Sequence, residues 1–430
     1  MSVGTKDTAK QAALWIPYSQ VAGSPGHPFY RKLNDILKKE GFDPWAENLC
    51  SPFFKRGGRP SIPPGVYFRM LAIGYFEGIA SERGIAWRCD DSRSLKEFLG
   101  YDIHESTPDH STLSIWRQRL SLKVYQAVFL RILGIVERHG LLSGETLGVD
   151  SSTMEANAAM RSIVRKDTKE NYRQYLDRLI KESGGLDPTP EERVRFDRKR
   201  KKKLSNKDWQ SETDPDARIA RMKNGETHMA YKAENAVDLD SSVIVSARVT
   251  PADKMDPQTL LPTVKEAEKN LHKVSRDKDV LEVVADKGYH SAGNIKALVW
   301  DCGISTYIPE RECKGRRHWD GDERARREFH ANRRRCKGEH GKALGRKRAN
   351  LVERAFAHTM QTGGLSRITV RGLENVQKRY LIHVVAYNLG VLMRSLYKYG
   401  TPRGAAERRF LAFLVLYLAF ILALLAGRED

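Results

Sequence analysis

Two short apolar runs each close on an aspartate, TLGVD at residues 146–150 and LEVVAD at residues 281–286. Such runs, rich in β-branched residues and free of polar alternation, fit strands buried on both faces. Strands of that kind belong to sheets covered by helices. An acid at the end of each run is expected at the tip of one of two adjacent strands. A third acid, Glu353 in KRANLVERAFAH, lies in a stretch with helical character. The fold class is therefore α/β, a mixed sheet flanked by helices. Asp150, Asp286 and Glu353, far apart in sequence, are expected to converge at one edge of it.

Three unpaired carboxylates repel one another, and their convergence requires a cation. Mg²⁺ prefers oxygen ligands and keeps several waters, so one or two carboxylates per ion suffice. Two such ions about 3.5–4 Å apart suit phosphoryl transfer, one activating the attacking oxygen and one stabilising the leaving oxygen. The trio is accordingly read as the catalytic, metal-holding set for two Mg²⁺ ions, with Mn²⁺ as a substitute. Ser151 and Ser152 leave space beside the first acid, and Gly288 lets the backbone turn under the second.

The 54 acidic residues are outnumbered by 74 basic ones, a formal net charge of +20 that points to a polyanionic partner. The basic residues are spread along the chain, which suits nucleic acid better than a membrane surface. Five irregularly spaced cysteines imply no disulfide set. Cys302, Cys313, His318, His330, Cys336 and His340 lack the tight paired spacing of structural zinc, so no zinc site is expected. The N-terminal MSVGTKDTAKQ has no secretion-signal layout. Phe410 to Ala426 is uniformly apolar. As a helix of about 26 Å it falls short of a hydrocarbon core of roughly 30 Å, so a buried terminal helix is expected and a membrane anchor is not.

Residues 1–140 read as helical: Pro63-Pro64 starts one helix, Ser81 and Ser92 cap two more, and Thr107-Pro108-Asp109 opens another that carries Arg117 and Arg119. Short capped helices ending in an arginine-bearing one suggest a helix-turn-helix-like DNA-binding domain. Residues 141–400 form the catalytic domain, with basic insertions near 184–225 and 310–345. Both insertions read as loops, the first mobile or facing DNA. The second belongs to a stretch, 310–348, with fifteen Lys or Arg against seven Asp or Glu. Residues 401–430 form the apolar C-terminal helix.

Long blocks of the chain resemble bacterial insertion-sequence transposases of the DDE type, which have an RNase H-like catalytic core. HPFYRKLNDIL and GRPSIPPGVYFRMLAIGYFEGIASERGIAWRCDDSRSLKEFLGYDIHESTPDHSTLSIWRQRL are similar to that group's helical N-terminal region. LGVDSSTMEANAAM, VVADKGYHS and LVERAFAHTMQTGGLSRITVRGLENVQKRYLIHVVAYNLGVLMR are similar to its three acid-bearing segments. The resemblance implies an RNase H-like core preceded by an all-helical DNA-binding domain. It also implies Asp150, Asp286 and Glu353 as the catalytic acids.

One departure stands out. Related groups place an arginine before the glutamate and a lysine seven residues after it. Here those places hold Ala349, with Arg348 beside it, and Met360. Arg348, Arg354, His358 and Arg371 are the candidates to contact phosphates instead, with Lys287 and Tyr289 around Gly288 and Arg117 and Arg119 in the helical region.

The function expected is cleavage at the inverted ends of the chain's own element and strand transfer into target DNA. The expected assembly is a homodimer on double-stranded DNA, located in the cytoplasm at the nucleoid. The alternative is a domesticated or inactive derivative that binds DNA without cutting it.

Overall fold

The computed structural model describes residues 26–55, 57, 61–200, 204–222, 224–312, 319 and 321–407. The apolar run at 410–426, Cys313 and His318 lie outside those residues. Among the described residues no helix is long and apolar enough to cross a membrane.

Helices come first, and their boundaries follow from local chemistry. α1 (Pro28–Lys39) and α2 (Phe42–Cys50) precede α3 (Pro64–Phe76). α3 starts on a proline, where the missing N–H is no loss, and is buried almost all round. Ser81 and Ser92 accept the Gly84 and Leu95 N–H groups and so start α4 (Glu82–Asp91) and α5 (Arg93–Leu99). Gly100, at φ 83°, ends α5 in a left-handed conformation. Asp109 caps α6 (His110–Arg119), and α7 (Leu122–Arg138) leads to the sheet.

The central strand is β1 (Thr146–Glu155). The next segment adds a two-stranded ribbon, β2 (Ile163–Arg165) with β3 (Trp209–Ser211), and the helices α8 (Tyr172–Glu182) and α9 (Pro190–Lys199). The polar stretch near 184–225, expected as a loop, thus contains ordered elements. The Arg165, Arg200 and Arg178 guanidiniums lie 4.8, 5.1 and 5.4 Å from the centre of the Tyr175 ring. Asp167, Asp197 and Glu170 neutralise these three arginines. Ile163 and Trp209 join this segment to the main core, with Tyr172 and Tyr175 packed against it, while Arg195, Arg198 and Lys199 remain exposed.

β4 (Arg218–Arg221), β5 (Thr227–Asp238) and β6 (Ile244–Pro251) follow. β5 runs antiparallel to β1, and β4 and β6 pair with successive lengths of its other edge. After α10 (Asp256–Val274), β7 (Glu282–Ala285) lies parallel to β1 on its free side. α11 (Ala292–Trp300) then leads to β8 (Ser305–Tyr307), parallel to β7. The resulting order, β6-β5-β1-β7-β8, has three antiparallel strands followed by two parallel ones. This is the RNase H-like arrangement the sequence led us to expect.

Among the described residues of 310–345, also expected as a loop, most are helical. α12 (Glu323–Lys337) and α13 (Glu339–Phe356) are strongly basic but carry enough buried positions to dock, among them Phe329, Leu344 and Val352. Charge density alone was a poor guide there, because arginine is a good helix former.

α14 (Leu373–Tyr397) is nearly all buried between β6 and the helices α3 and α7. Its amides replace a strand partner for β6. Asn388 bonds both the N–H and the carbonyl of Ile244 at 2.9 Å, and Gln377 bonds the Val249 N–H and the Ala247 carbonyl. These bonds cover an otherwise open sheet edge. Through α14 the buried apolar residues from Phe29 to Ala405 form one continuous core, shared by the leading helices and the sheet.

Candidate active site

Val149 pairs with Ala285 in the parallel β1–β7 ladder, so Asp150 and Asp286 are the next residues on neighbouring strands. Asp286 stands at a strand tip, as expected. Asp150 does not, since β1 continues to Glu155. It sits instead where β7 leaves the ladder while β1 runs on. Asp286 turns the chain by accepting the Gly288 N–H at 2.7 Å.

α13 crosses this region very closely because residue 148 is glycine. A Cβ there would lie 2.9 Å from Val352 Cγ2 and 3.1 Å from Arg348 Cγ. Arg348 and Val352 are one helical turn apart and share the face turned to β1. Arg348 reaches past Gly148, and its Nη1 donates to Asp150 Oδ2 at 2.8 Å. Burial lifts the Asp150 carboxyl above its ordinary range, opposed by Arg348 and the Ser151 N–H, and Asp286 adds to the rise. Asp286 makes no ion pair among the described residues.

Glu353 is one residue beyond Val352 and therefore about 100° round the helix. It is exposed on the flank of α13. Among the described residues no three His, Cys, Asp or Glu side chains gather closely enough to hold a metal ion. The structure thus brings Asp150 and Asp286 together and leaves Glu353 at the side. The pair fits a hard divalent cation: adjacent carboxylate oxygens, one of them largely withdrawn from water, with a net negative charge that Arg348 only partly offsets.

The other face of β1 holds residues that the sequence reading missed. Lys232 and Glu234, two apart on β5, point to α10. Glu234 is buried and accepts hydrogen bonds from Thr259, Thr263 and the Tyr289 hydroxyl, the last at 2.9 Å. Lys232 bonds the Asp256 carboxylate and the Lys254 carbonyl. Asp256 also accepts from Ser151 Oγ at 3.2 Å. The signal was present in YKAENAVD, where two opposite charges at a spacing of two interrupt an otherwise buried strand.

The expected DNA contacts divide into two groups. Tyr289 is fully buried with its hydroxyl on Glu234, which corrects its assignment as a strand contact. Arg117 is mostly buried in an ion pair with Glu82. Arg119 is exposed and lies over the Phe54 ring at 4.9 Å. Lys287, Arg354 and Arg371 are exposed. Arg354 bonds Asn350 and Arg371 bonds the Asn157 carbonyl. His358 is half-buried, and burial followed by Arg394 and Arg354 lowers its pKa, which disfavours the cation. Met360 lies within a wider π-helical turn, Ala357–Thr362, that rotates it into the core. That turn gives a physical reason for an apolar residue where related groups have lysine.

Residues 19–119 match the family described as Transposase domain (DUF772), and residues 186–389 match Transposase DDE domain. Asp286 and Glu353 fall within the second match, whereas Asp150 lies between the two. No curated protein matches the chain. Among solved structures, "Mos1 transposase paired-end complex with left transposon end" is similar at 10% identity, covering 72% of this chain and 82% of that one with a TM-score of 0.20.

Proposed function

Because the chain belongs to the DDE transposases, we propose that it binds the ends of its own mobile element, cuts the DNA there and joins the freed end to target DNA. The observation that carries this reading is the adjacency of Asp150 and Asp286 at the point where β1 and β7 part. Two carboxylates set side by side, where one strand continues and the other departs, can act together on one phosphodiester.

Asp150 and Asp286 would hold Mg²⁺ or Mn²⁺, with Glu353 reaching in from α13. When bound, the metal supplies activation of the attacking oxygen and charge stabilisation at the leaving one. Arg348 keeps Asp150 oriented through a charged hydrogen bond. Lys287, next to Asp286, and Arg354, next to Glu353, are both exposed and hold the phosphate backbone. In the first step water attacks phosphorus and the P–O3′ bond breaks, leaving a 3′-hydroxyl and a 5′-phosphate. In the second, that hydroxyl attacks a target phosphodiester, and a new P–O3′ bond forms as the target strand's own P–O3′ bond breaks and its 3′-hydroxyl leaves. Neither step needs ATP or a covalent protein intermediate. Two ends are processed together, so a homodimer on DNA is part of the proposal.

The test is a supercoiled plasmid carrying the element's ends, incubated with the full chain and Mg²⁺. Insertion products support the proposal; end binding without cutting, or nicks without joining, reduce it to a DNA-binding or nuclease function. Glu353→Gln is expected to abolish end cleavage while end binding stays within about twofold. Normal cleavage by that variant would take Glu353 out of the site.

A further inference from the structure

We infer that Lys232 and Asp256 are positioning residues of this site, a half-buried ion pair that ties the segments following both aspartates to one point. The inference rests on the reading of Asp150 and Asp286 as the acids of the site.

Asp256 is the first residue of α10, and it meets each of those segments. Its Oδ1 accepts from Ser151 Oγ, one residue beyond Asp150. Its Oδ2 lies only 2.6 Å from where a Cβ on Gly288 would sit, and Asp286 Oδ1 lies 2.7 Å from that same point. The Asp256 and Asp286 carboxylates therefore flank Gly288, and only a residue without a side chain lets them do so. Two carboxylates this close need a cation nearby. Lys232 supplies it from the middle of β5, with only 8% of its side chain exposed. Its ammonium is held a second time by the Lys254 carbonyl at 3.1 Å.

The neighbours of this pair make the point rigid. Glu234, on the same face of β5, fixes α10 through Thr259 and Thr263 and fixes the turn after Asp286 through Tyr289. Asn294 Nδ2 bonds the Pro257 carbonyl at 2.6 Å and fastens α11 to the start of α10. Arg348 holds Asp150 from one face of the sheet while Asp256 holds Ser151 from the other. β1 is thus clamped on both sides at Asp150 and Ser151. Lys232 and Asp256 touch no reacting atom in this arrangement; they set the spacing of the acids that do.

Residues that orient ligand-bearing groups typically change metal affinity by about 10–100-fold when removed. The experiment is a titration of the full chain with Mn²⁺ alone, following free Mn²⁺ by its paramagnetic resonance signal. Asp256→Asn and Lys232→Met are each expected to weaken binding at least about tenfold. The double variant should lose little more than either single change, because the two act as one unit. Lys232→Arg, which keeps the charge, should recover most of the affinity. Ser151→Ala removes one tether without touching the ion pair and should show a smaller loss of the same sign. Wild-type affinity in Asp256→Asn or in Ser151→Ala would overturn the inference, as would independent, additive losses in the double variant. Asp150→Asn is the separate control. If it binds Mn²⁺ like wild type, the reading of the acids themselves fails, whatever the other variants do.

Discussion

Arg348 and Asp150 form an ion pair at 2.8 Å that joins α13 to the central strand of the sheet. A divalent cation at the same carboxylate would sit close to the guanidinium and be repelled by it, so Arg348 orients Asp150 at some cost to cation affinity and competes with the cation for its charge. Removing Arg348 leaves a largely buried carboxylate without its partner, at a cost of about 1–3 kcal/mol in the metal-free protein. The same change removes the competitor. Arg348→Ala is therefore expected to melt at a lower temperature than wild type without metal and to show a larger rise on adding Mn²⁺. Thermal melts with and without Mn²⁺ check this, and an equal rise in both proteins would rule out competition.

Gly148 sets the height of α13 above the sheet. An added methyl would lie 2.6 Å from Leu239 Cδ2 as well as close to Val352 and Arg348, on three sides at once. Gly148→Ala should destabilise the chain by about 1–3 kcal/mol through overpacking. Urea unfolding should show a lower midpoint with an unchanged slope. An undisturbed midpoint would mean that α13 shifts freely, and Arg348 would then have no fixed reach to Asp150.

How much of this was legible in the sequence depends on the residue. Val283, Val284 and Ala285 declared a buried strand, and Pro64, Ser81, Ser92, Gly100 and Asp109 marked helix ends where the structure has them. These are local effects, and local chemistry reports them. Three readings went astray for one reason, which is that partners distant in sequence decided the outcome. Asp150 looked like a strand terminus until the β5 ladder carried β1 five residues further. The basic stretches looked like loops until acidic partners and buried stripes organised them. Tyr289, beside an acid and a glycine, looked accessible, but Glu234 holds its hydroxyl inside the core. Asp256 was invisible because nothing in Met255-Asp256-Pro257 announces Lys232 or Ser151 as its neighbours.

The arginines and lysines nominated for DNA can be separated by salt. A residue that neutralises one phosphate lowers the slope of log affinity against log salt by about one unit when removed. Lys287→Ala, at an exposed turn beside Asp286, should do this and leave stability nearly unchanged. Arg117→Ala should do the reverse, since its charge is already balanced by Glu82 in a mostly buried pair. End binding at several salt concentrations, together with melting temperatures, distinguishes them. A reduced salt slope for Arg117→Ala would place that guanidinium on DNA.

His383 gives the fold a built-in sensitivity to acid. It is fully buried in α14, edge-on to Tyr75 with ring centres 5.6 Å apart, and burial followed by Arg379 holds its pKa well below the ordinary value. The unfolded chain therefore takes up a proton near pH 6.5 that the folded chain refuses. The stabilisation is complete above the unfolded value and is lost as pH falls from there toward the folded one, by up to about 1.4 kcal/mol per pH unit. His358, also lowered, acts in the same direction; the raised carboxyls of Asp150, Glu234 and Glu266 act against it. Comparing variants isolates the one residue from this background. His383→Gln should be less stable than wild type at pH 7.5, and the gap should narrow steadily between pH 6.5 and pH 5. A constant gap would show that His383 takes a proton without disturbing its surroundings, and α14 would then not be the acid-sensitive element.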